Sequence, residues 1–103
     1  MPVRLTRHNV DRYVPNYPHT YRRGEPSDTQ ILRILAEAEK ASPRGVLAVV
    51  LAARLGMAAP RLRERIAALV DDEDAFRRRR TSAAPWRYTH NPDSPLLTRR
   101  RTQ

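Results

Sequence analysis

The sequence contains no cysteine, only three glycines and a single lysine among its 103 residues. Without cysteine, neither a disulfide framework nor a thiolate metal site can hold the chain, so packing alone must stabilise the fold. With so few glycines, no glycine-rich loop is present that would cradle phosphate groups. No apolar run approaches the roughly 18 residues that a membrane span needs. These absences predict a soluble, cytoplasmic protein that does not bind membranes.

Residues with catalytic chemistry are equally sparse. His8, His19 and His90 are far apart in the chain, and no serine or aspartate lies in a recognisable nucleophile motif. The acidic run at residues 71–74 does not predict a cation site, because consecutive carboxylates on a helix point in different directions. We therefore predict no enzymatic activity, no catalytic residue, no metal, no cofactor and no small-molecule substrate.

The sequence has a large excess of positive charge, and that charge is unevenly placed. The formal net charge is +9. Residues 1–26 carry a net charge of +3, residues 27–75 carry −1, and residues 76–103 carry +7. An arginine excess outside the core is typical of a surface that binds a polyanion, because each arginine near a phosphate releases condensed counterions and donates to its oxygens in pairs. The alternative is that these flanks are solvated tails.

The composition divides the chain into three parts. Residues 1–26 are predicted to form an extended, basic arm rich in proline and tyrosine. Residues 27–91 should form the folded domain, and residues 92–103 a flexible basic tail. The arm tyrosines, Tyr13, Tyr17 and Tyr21, either pack on the domain or stack on bases or a partner subunit.

Two helices are expected in the first half of the domain. The first begins after Ser27 or Asp28, either of which can cap it, and runs to about Lys40. Residues 41–45 break the chain, and a second, largely buried helix covers residues 46–55. Gly56 can adopt the left-handed conformation that ends a helix.

A third helix is expected to start near Pro60, which suits a first helical turn. Its apolar residues fall at helical spacing on one stripe: Leu62, Ile66, Leu69 and Val70. The remaining positions are predicted to point away from the core: Arg61, Glu64, Arg65 and Ala68.

Residues 75–92 contain two strand-like runs separated by a polar loop, which predicts a β-hairpin. Trp86 and Tyr88 should share one face of the hairpin, and Phe76 should pack with them against the helices. The four consecutive arginines that begin at Arg77 alternatively belong to a solvated linker.

The helical pattern carries a resemblance, which rests on Leu51, Ala52, Leu55, Gly56, Met57, Leu62, Ile66 and Leu69. It resembles the helix-turn-helix of bacterial and archaeal repressors. In that motif a small residue packs between the helices, a turn glycine follows four positions later, and an aliphatic residue follows six positions after the glycine. Ala52, Gly56 and Leu62 occupy these three places. Together with the hairpin, it is similar to the winged helix-turn-helix. The chain departs from the family at residues 58–60, where a serine or threonine that contacts DNA is common.

The resemblance implies a mainly α fold with a small β-hairpin, a three-helix winged helix-turn-helix domain with an extended N-terminal arm and a C-terminal tail. It implies a small, nucleoid-associated transcriptional regulator that binds double-stranded DNA, and a homodimer is one form in which it would bind. Helix 60–72 would lie in the major groove, and the wing would contact the backbone or the minor groove. The implied DNA-binding residues are Arg61, Arg63, Glu64, Arg65, Arg77, Arg78, Arg79, Arg80 and Arg87. Further contacts are expected from the arm and tail, at Arg22, Arg23, Arg99, Arg100 and Arg101.

Two other functions remain open from the sequence. Arginine-rich arms with interleaved tyrosines also suit an RNA-binding or ribosome-associated protein. Winged-helix folds also serve as protein–protein interaction modules, and the alanine-rich third helix is poor in groups that read bases.

Overall fold

The computed structural model describes residues 24–98. In chain order, its helices and strands are α1 (Asp28–Glu39), β1 (Val46–Leu47), α2 (Ala48–Leu55), α3 (Ala59–Asp71), β2 (Ala75–Arg78), β3 (Arg87–His90) and α4 (Pro95–Thr98). The three strands form one antiparallel sheet in the order β1-β3-β2. Four helices pack with this sheet in the described part of the chain, which makes a small α/β unit compatible with a winged helix.

Helix α1 begins with a capping box at Ser27. The Ser27 Oγ accepts a hydrogen bond from the Gln30 amide, and the Gln30 side chain accepts one from the Ser27 amide at 2.8 Å. Both bonds satisfy amides that have no partner within the helix. Of the two capping residues expected from the sequence, Ser27 is the one used. Asp28 is left in the first turn, where its carboxylate accepts a hydrogen bond from Arg65 of α3.

The second helix starts later than the sequence predicts. Val46 and Leu47 form strand β1, which pairs with Tyr88 and Arg87 of β3, so the expected helix over residues 46–55 was wrong at its first two positions. The pairing partner lies about forty residues away, and no local pattern reveals it. Gly45 permits the close approach: its φ is +120°, and a Cβ there would lie 2.7 Å from the Arg87 Cβ.

The burial expected for α2 is also only partly correct. Ala48, Leu51 and Ala52 are buried, but Val49 is 55% exposed and Val50 is 44% exposed. Because β1 takes two of the apolar residues into the sheet, the remaining helix is only eight residues long and has an outer face.

The turn between α2 and α3 agrees with the sequence prediction. Gly56 adopts the left-handed conformation, with φ of 68° and ψ of 31°, and the Met57 amide donates to the Ala52 carbonyl at 2.9 Å. Helix α3 then begins after Ala58, which makes no side-chain cap, and Pro60 lies in its first turn. No side chain therefore caps the start of α3, as the absence of serine and threonine at residues 58–60 indicated.

The core lies between the three longer helices and one face of the sheet. Its buried residues include most of the apolar stripes expected from the sequence. They are Ile31, Leu32, Leu35, Ala38, Val46, Ala48, Leu51, Ala52, Leu62, Ile66, Leu69, Ala75 and Tyr88.

The folded unit extends beyond the boundary expected at residue 91. The Ser94 hydroxyl donates to the buried Asp74 carboxylate at 2.6 Å, and the Asn91 amide donates to the Asp74 carbonyl. Leu96 and Leu97 of α4 pack against the core. Residues 92–98, expected to begin the tail, are therefore docked on the domain. Of the sites predicted in the arm and tail, Arg22, Arg23, Arg99, Arg100 and Arg101 lie outside the described residues.

Candidate nucleic-acid interface

The most basic part of the described chain is the segment that we call the hairpin, residues 75–90. It contains five arginines and no acidic residue, and all five arginines are exposed. The strands alternate their side chains between two faces, with Ala75, Arg77 and Tyr88 on one side and Phe76, Arg78 and Arg87 on the other. The predicted hairpin is therefore present, and its positive charge is divided between two surfaces.

On the first face, two arginines are held over the only tryptophan. The guanidinium carbon of Arg77 lies 4.4 Å from the centre of the Trp86 ring, and that of Arg79 lies 4.1 Å from it. At these distances the negative face of the indole attracts the cations. Trp86 therefore positions both guanidiniums without neutralising them, so their charge stays available to a polyanion.

Tyr88 lies near arginines of both α3 and the hairpin. Its ring is buried in the core, and burial raises the pKa of its hydroxyl; the positive charges of Arg77 and Arg63, together with a hydrogen bond to Arg77, oppose that rise. Arg63 is an exposed residue of α3. The charges of Arg63 on α3 and Arg77 on the hairpin therefore both act on the Tyr88 hydroxyl.

Phe76 does not join this cluster. The sequence predicted that it packs with Trp86 and Tyr88 against the helices, and this was wrong: Phe76 is 49% exposed and pairs with Thr89 on the other side of the sheet. Because side chains alternate along a strand, the residue of β2 that faces the core is Ala75, which has no exposed surface.

The outward face of α3 carries little positive charge. Its exposed residues include Arg63, which is basic, and Glu64 and Asp71, which are acidic. Glu64 accepts a hydrogen bond from Arg61 at 3.2 Å, as one of the i, i+3 pairs that form along a helix. Of the α3 residues predicted to contact DNA, Arg63 is the exposed arginine beside the hairpin.

Arg65 does not face outward, so the prediction that it and Ala68 point away from the core was wrong. Arg65 is 0% exposed and Ala68 is 6% exposed. The Arg65 guanidinium donates to Glu25 Oε1 at 3.1 Å, to the Pro26 carbonyl at 3.0 Å and to Asp28 Oδ1 at 2.9 Å. These bonds fasten α3 to the segment that leads into α1.

Arg61 takes part in the same network. Its Nε donates to Glu25 Oε2 at 2.8 Å and its Nη2 donates to Glu25 Oε1 at 3.0 Å, and its side chain is only 11% exposed. The hydrogen bond to Glu25 is the main cause that raises the pKa of Arg61, against the opposing effect of burial. Both guanidiniums are thus bound within the domain, so neither Arg61 nor Arg65 extends from the outward face of α3.

One sequence signal does indicate the buried position of Arg65. It follows Leu62 by three residues and precedes Leu69 by four, so it lies within the apolar stripe of the helix and not beside it. Glu25 and Asp28 lie around the start of α1, where acidic residues are usual, and they are the sequence features that offer carboxylate partners for Arg65. Spacing alone does not reveal that these elements are adjacent.

Comparison with protein-family models, curated proteins and solved structures found no match to this chain. Function is therefore inferred from the site itself. Within residues 24–98, no group of three or more histidine, cysteine or acidic side chains is placed to hold a metal ion. In the same range, no helix has the length and apolar character needed to cross a membrane.

Proposed function

We propose that the protein is a small winged helix-turn-helix DNA-binding protein of the transcriptional-regulator type, in which the hairpin serves as the wing and supplies most of the binding. The observation that carries this proposal is the row of five exposed arginines on the hairpin, two of which, Arg77 and Arg79, lie over Trp86. The exposed Arg63 of α3 lies near enough to the hairpin for its charge to act on Tyr88. With the outward face of α3 in a groove of the duplex, the hairpin arginines would contact the phosphates beside that groove.

The charge distribution favours contacts to phosphates over contacts to base edges. Arg63 is the exposed basic residue on the outward face of α3, and Glu64 and Asp71 share that face. Of the other α3 arginines expected to contact DNA, Arg61 is bound to Glu25, and Arg65 is bound to Glu25 and Asp28. We therefore expect affinity that depends strongly on salt and only weakly on sequence, as in architectural DNA-binding proteins.

The test is a binding titration on random-sequence duplex DNA at several salt concentrations, with single-stranded DNA and double-stranded RNA as competitors. The logarithm of affinity should fall linearly with the logarithm of salt concentration, by about 0.9 for each phosphate neutralised. Arg77→Ala and Arg79→Ala should each weaken binding on all duplexes alike and lower the slope by about 1. Arg33→Ala, which removes an exposed arginine of α1, is the matched control and should change neither.

Three results would reject the proposal. Preference for double-stranded RNA would support the RNA-binding alternative. Binding that does not respond to salt would indicate a protein partner. Equal losses in Arg33→Ala and Arg77→Ala would mean that total charge, and not the hairpin surface, determines binding.

A further inference from the structure

The second face of the hairpin lines an open cleft with a volume of about 900 Å³. The opposite wall is the turn between α1 and β1. Five arginines line the cleft, and no acidic side chain does: Arg44 comes from the turn, and Arg78, Arg79, Arg80 and Arg87 come from the hairpin. Its volume falls within the range of small-molecule sites, about 300–1,000 Å³.

Two of these arginines face each other directly. Arg78 of β2 and Arg87 of β3 are paired in register on the same face of the sheet. Like charges at directly opposed positions destabilise a sheet, because their side chains are neighbours. No described carboxylate forms a salt bridge with either arginine, so apart from the hydrogen bond that Arg87 donates to the Gly45 carbonyl, the repulsion is offset by solvent or by a bound anion.

The cleft is also held in shape. Arg87 Nη1 donates to the Gly45 carbonyl at 3.2 Å, which fixes one guanidinium against the turn. Gly45 itself brings the turn close to β3, since a Cβ at that position would meet Arg87 at 2.7 Å. Arg44 precedes Gly45 and lines the cleft from this turn.

We propose that this cleft binds a small anion that carries two or more linked phosphates, such as a nucleoside polyphosphate or an inorganic polyphosphate. Arginine guanidiniums donate to phosphate oxygens in pairs, and several of them around one cleft match a chain of phosphates better than a single phosphate. The inference does not need the protein to bind DNA. One consequence rests on the proposed function: because Arg79 both lines the cleft and lies over Trp86, a bound polyphosphate should lower DNA affinity.

The first test is calorimetric titration of the full chain with sodium tripolyphosphate, pyrophosphate and orthophosphate at constant ionic strength. We expect saturable binding of one tripolyphosphate per chain, with affinity that decreases in that order. Arg44→Ala should reduce the affinity about tenfold, as expected for loss of one strong charged hydrogen bond. Arg33→Ala should stay within about twofold of the wild type.

Arg44 is the informative position because it lies outside the hairpin, so its loss leaves the sheet intact. Circular dichroism should confirm that Arg44→Ala is folded, and Arg44→Lys should recover part of the affinity because it retains the charge without the paired donors. Absence of saturable binding, or an equal loss in Arg33→Ala, would overturn the inference, since the anion would then be responding to diffuse charge.

A second measurement separates this site from the DNA surface. Tripolyphosphate should displace duplex DNA from the wild type more effectively than from Arg44→Ala, whose own DNA affinity should be nearly unchanged. Equal displacement from both, or parallel loss of DNA and tripolyphosphate affinity in Arg44→Ala, would show that the cleft is no separate site. Saturable tripolyphosphate binding without any DNA binding would reject the proposed function and leave the cleft inference standing.

Discussion

Arg65 of α3 donates to Asp28 of α1 at 2.9 Å from a side chain that has no exposed surface. This bond joins two residues that are 37 positions apart in the chain. It also determines what Arg65 can do: a guanidinium that is held between Asp28, Glu25 and the Pro26 carbonyl stabilises the domain and is not presented to a ligand.

Arg65→Ala should therefore lower the free energy of unfolding. Removal of one member of a buried ion pair costs about 3–5 kcal/mol, and the partial exposure of Asp28 (13%) and Glu25 (20%) reduces that to about 2–3 kcal/mol here. Urea denaturation measures the change. Arg63→Ala, an exposed position on the same helix, is the control and should stay within about 0.5 kcal/mol of the wild type. A loss below about 1 kcal/mol for Arg65→Ala would contradict the structural role.

Gly45→Ala should destabilise the fold more than Gly56→Ala. Both glycines have positive φ, but an added Cβ at Gly45 would meet Arg87 at 2.7 Å, whereas at Gly56 it would meet nothing within 4 Å. Gly56→Ala should cost about 1 kcal/mol from backbone strain alone, and Gly45→Ala about 2 kcal/mol or more because the turn must also move away from β3. Thermal unfolding of the two variants gives the comparison, and similar losses would mean that the turn can move without cost.

Arg77→Ala should raise the pKa of Tyr88 further above its ordinary value of 10.0. Burial already raises this pKa, and Arg77 opposes the rise through its charge and its hydrogen bond. Because the folded-state pKa lies above the unfolded one, Tyr88 contributes stability that is complete below pH 10.0 and is lost as pH rises through the folded-state pKa. Ultraviolet titration of tyrosinate measures the shift, with Tyr88→Phe identifying the signal. An unchanged or lowered pKa would show that Arg77 does not face the hydroxyl.

Trp86→Leu should weaken binding to duplex DNA about twofold to fivefold without changing its salt dependence. The substitution removes no charge, but Arg77 and Arg79 lose the ring that positions them, and an exposed cation–π contact contributes about 0.5–1 kcal/mol. Trp86→Phe should retain most of the affinity. Fluorescence anisotropy with labelled DNA measures both variants. A change of slope in Trp86→Leu would indicate that phosphate contacts themselves are lost.

The sequence also provides a direct reporter for these experiments. Trp86 is the only tryptophan in the chain and lies beside the proposed DNA surface. Its fluorescence should change when duplex DNA draws Arg77 or Arg79 away from the ring. No change at saturating DNA would place binding away from this face of the hairpin.

Local sequence signals predicted the elements of the fold well where a single residue type is decisive. Ser27 caps the start of α1, Gly56 caps the end of α2 and Pro60 lies in the first turn of α3. Each of these features depends on the residue type at one position: a capping hydroxyl, a left-handed backbone or a missing amide. For the candidate site, some residue positions were predicted correctly and others were not. Arg77, Arg79 and Trp86 were expected on the hairpin, whereas Arg65 was assigned to the wrong side of its helix.

By itself, the sequence determined the helical periodicity, the turn between α2 and α3, and the position of the arginine-rich hairpin, since these depend on neighbours within a few residues. Only the tertiary structure decided that Val46 and Leu47 form a strand, that Glu25 and Asp28 hold Arg65, and that Arg44 and Arg78 line one cleft. Each of those outcomes depends on partners that are distant along the chain, and the free energy of pairing or burying them outweighs the local preference of either partner.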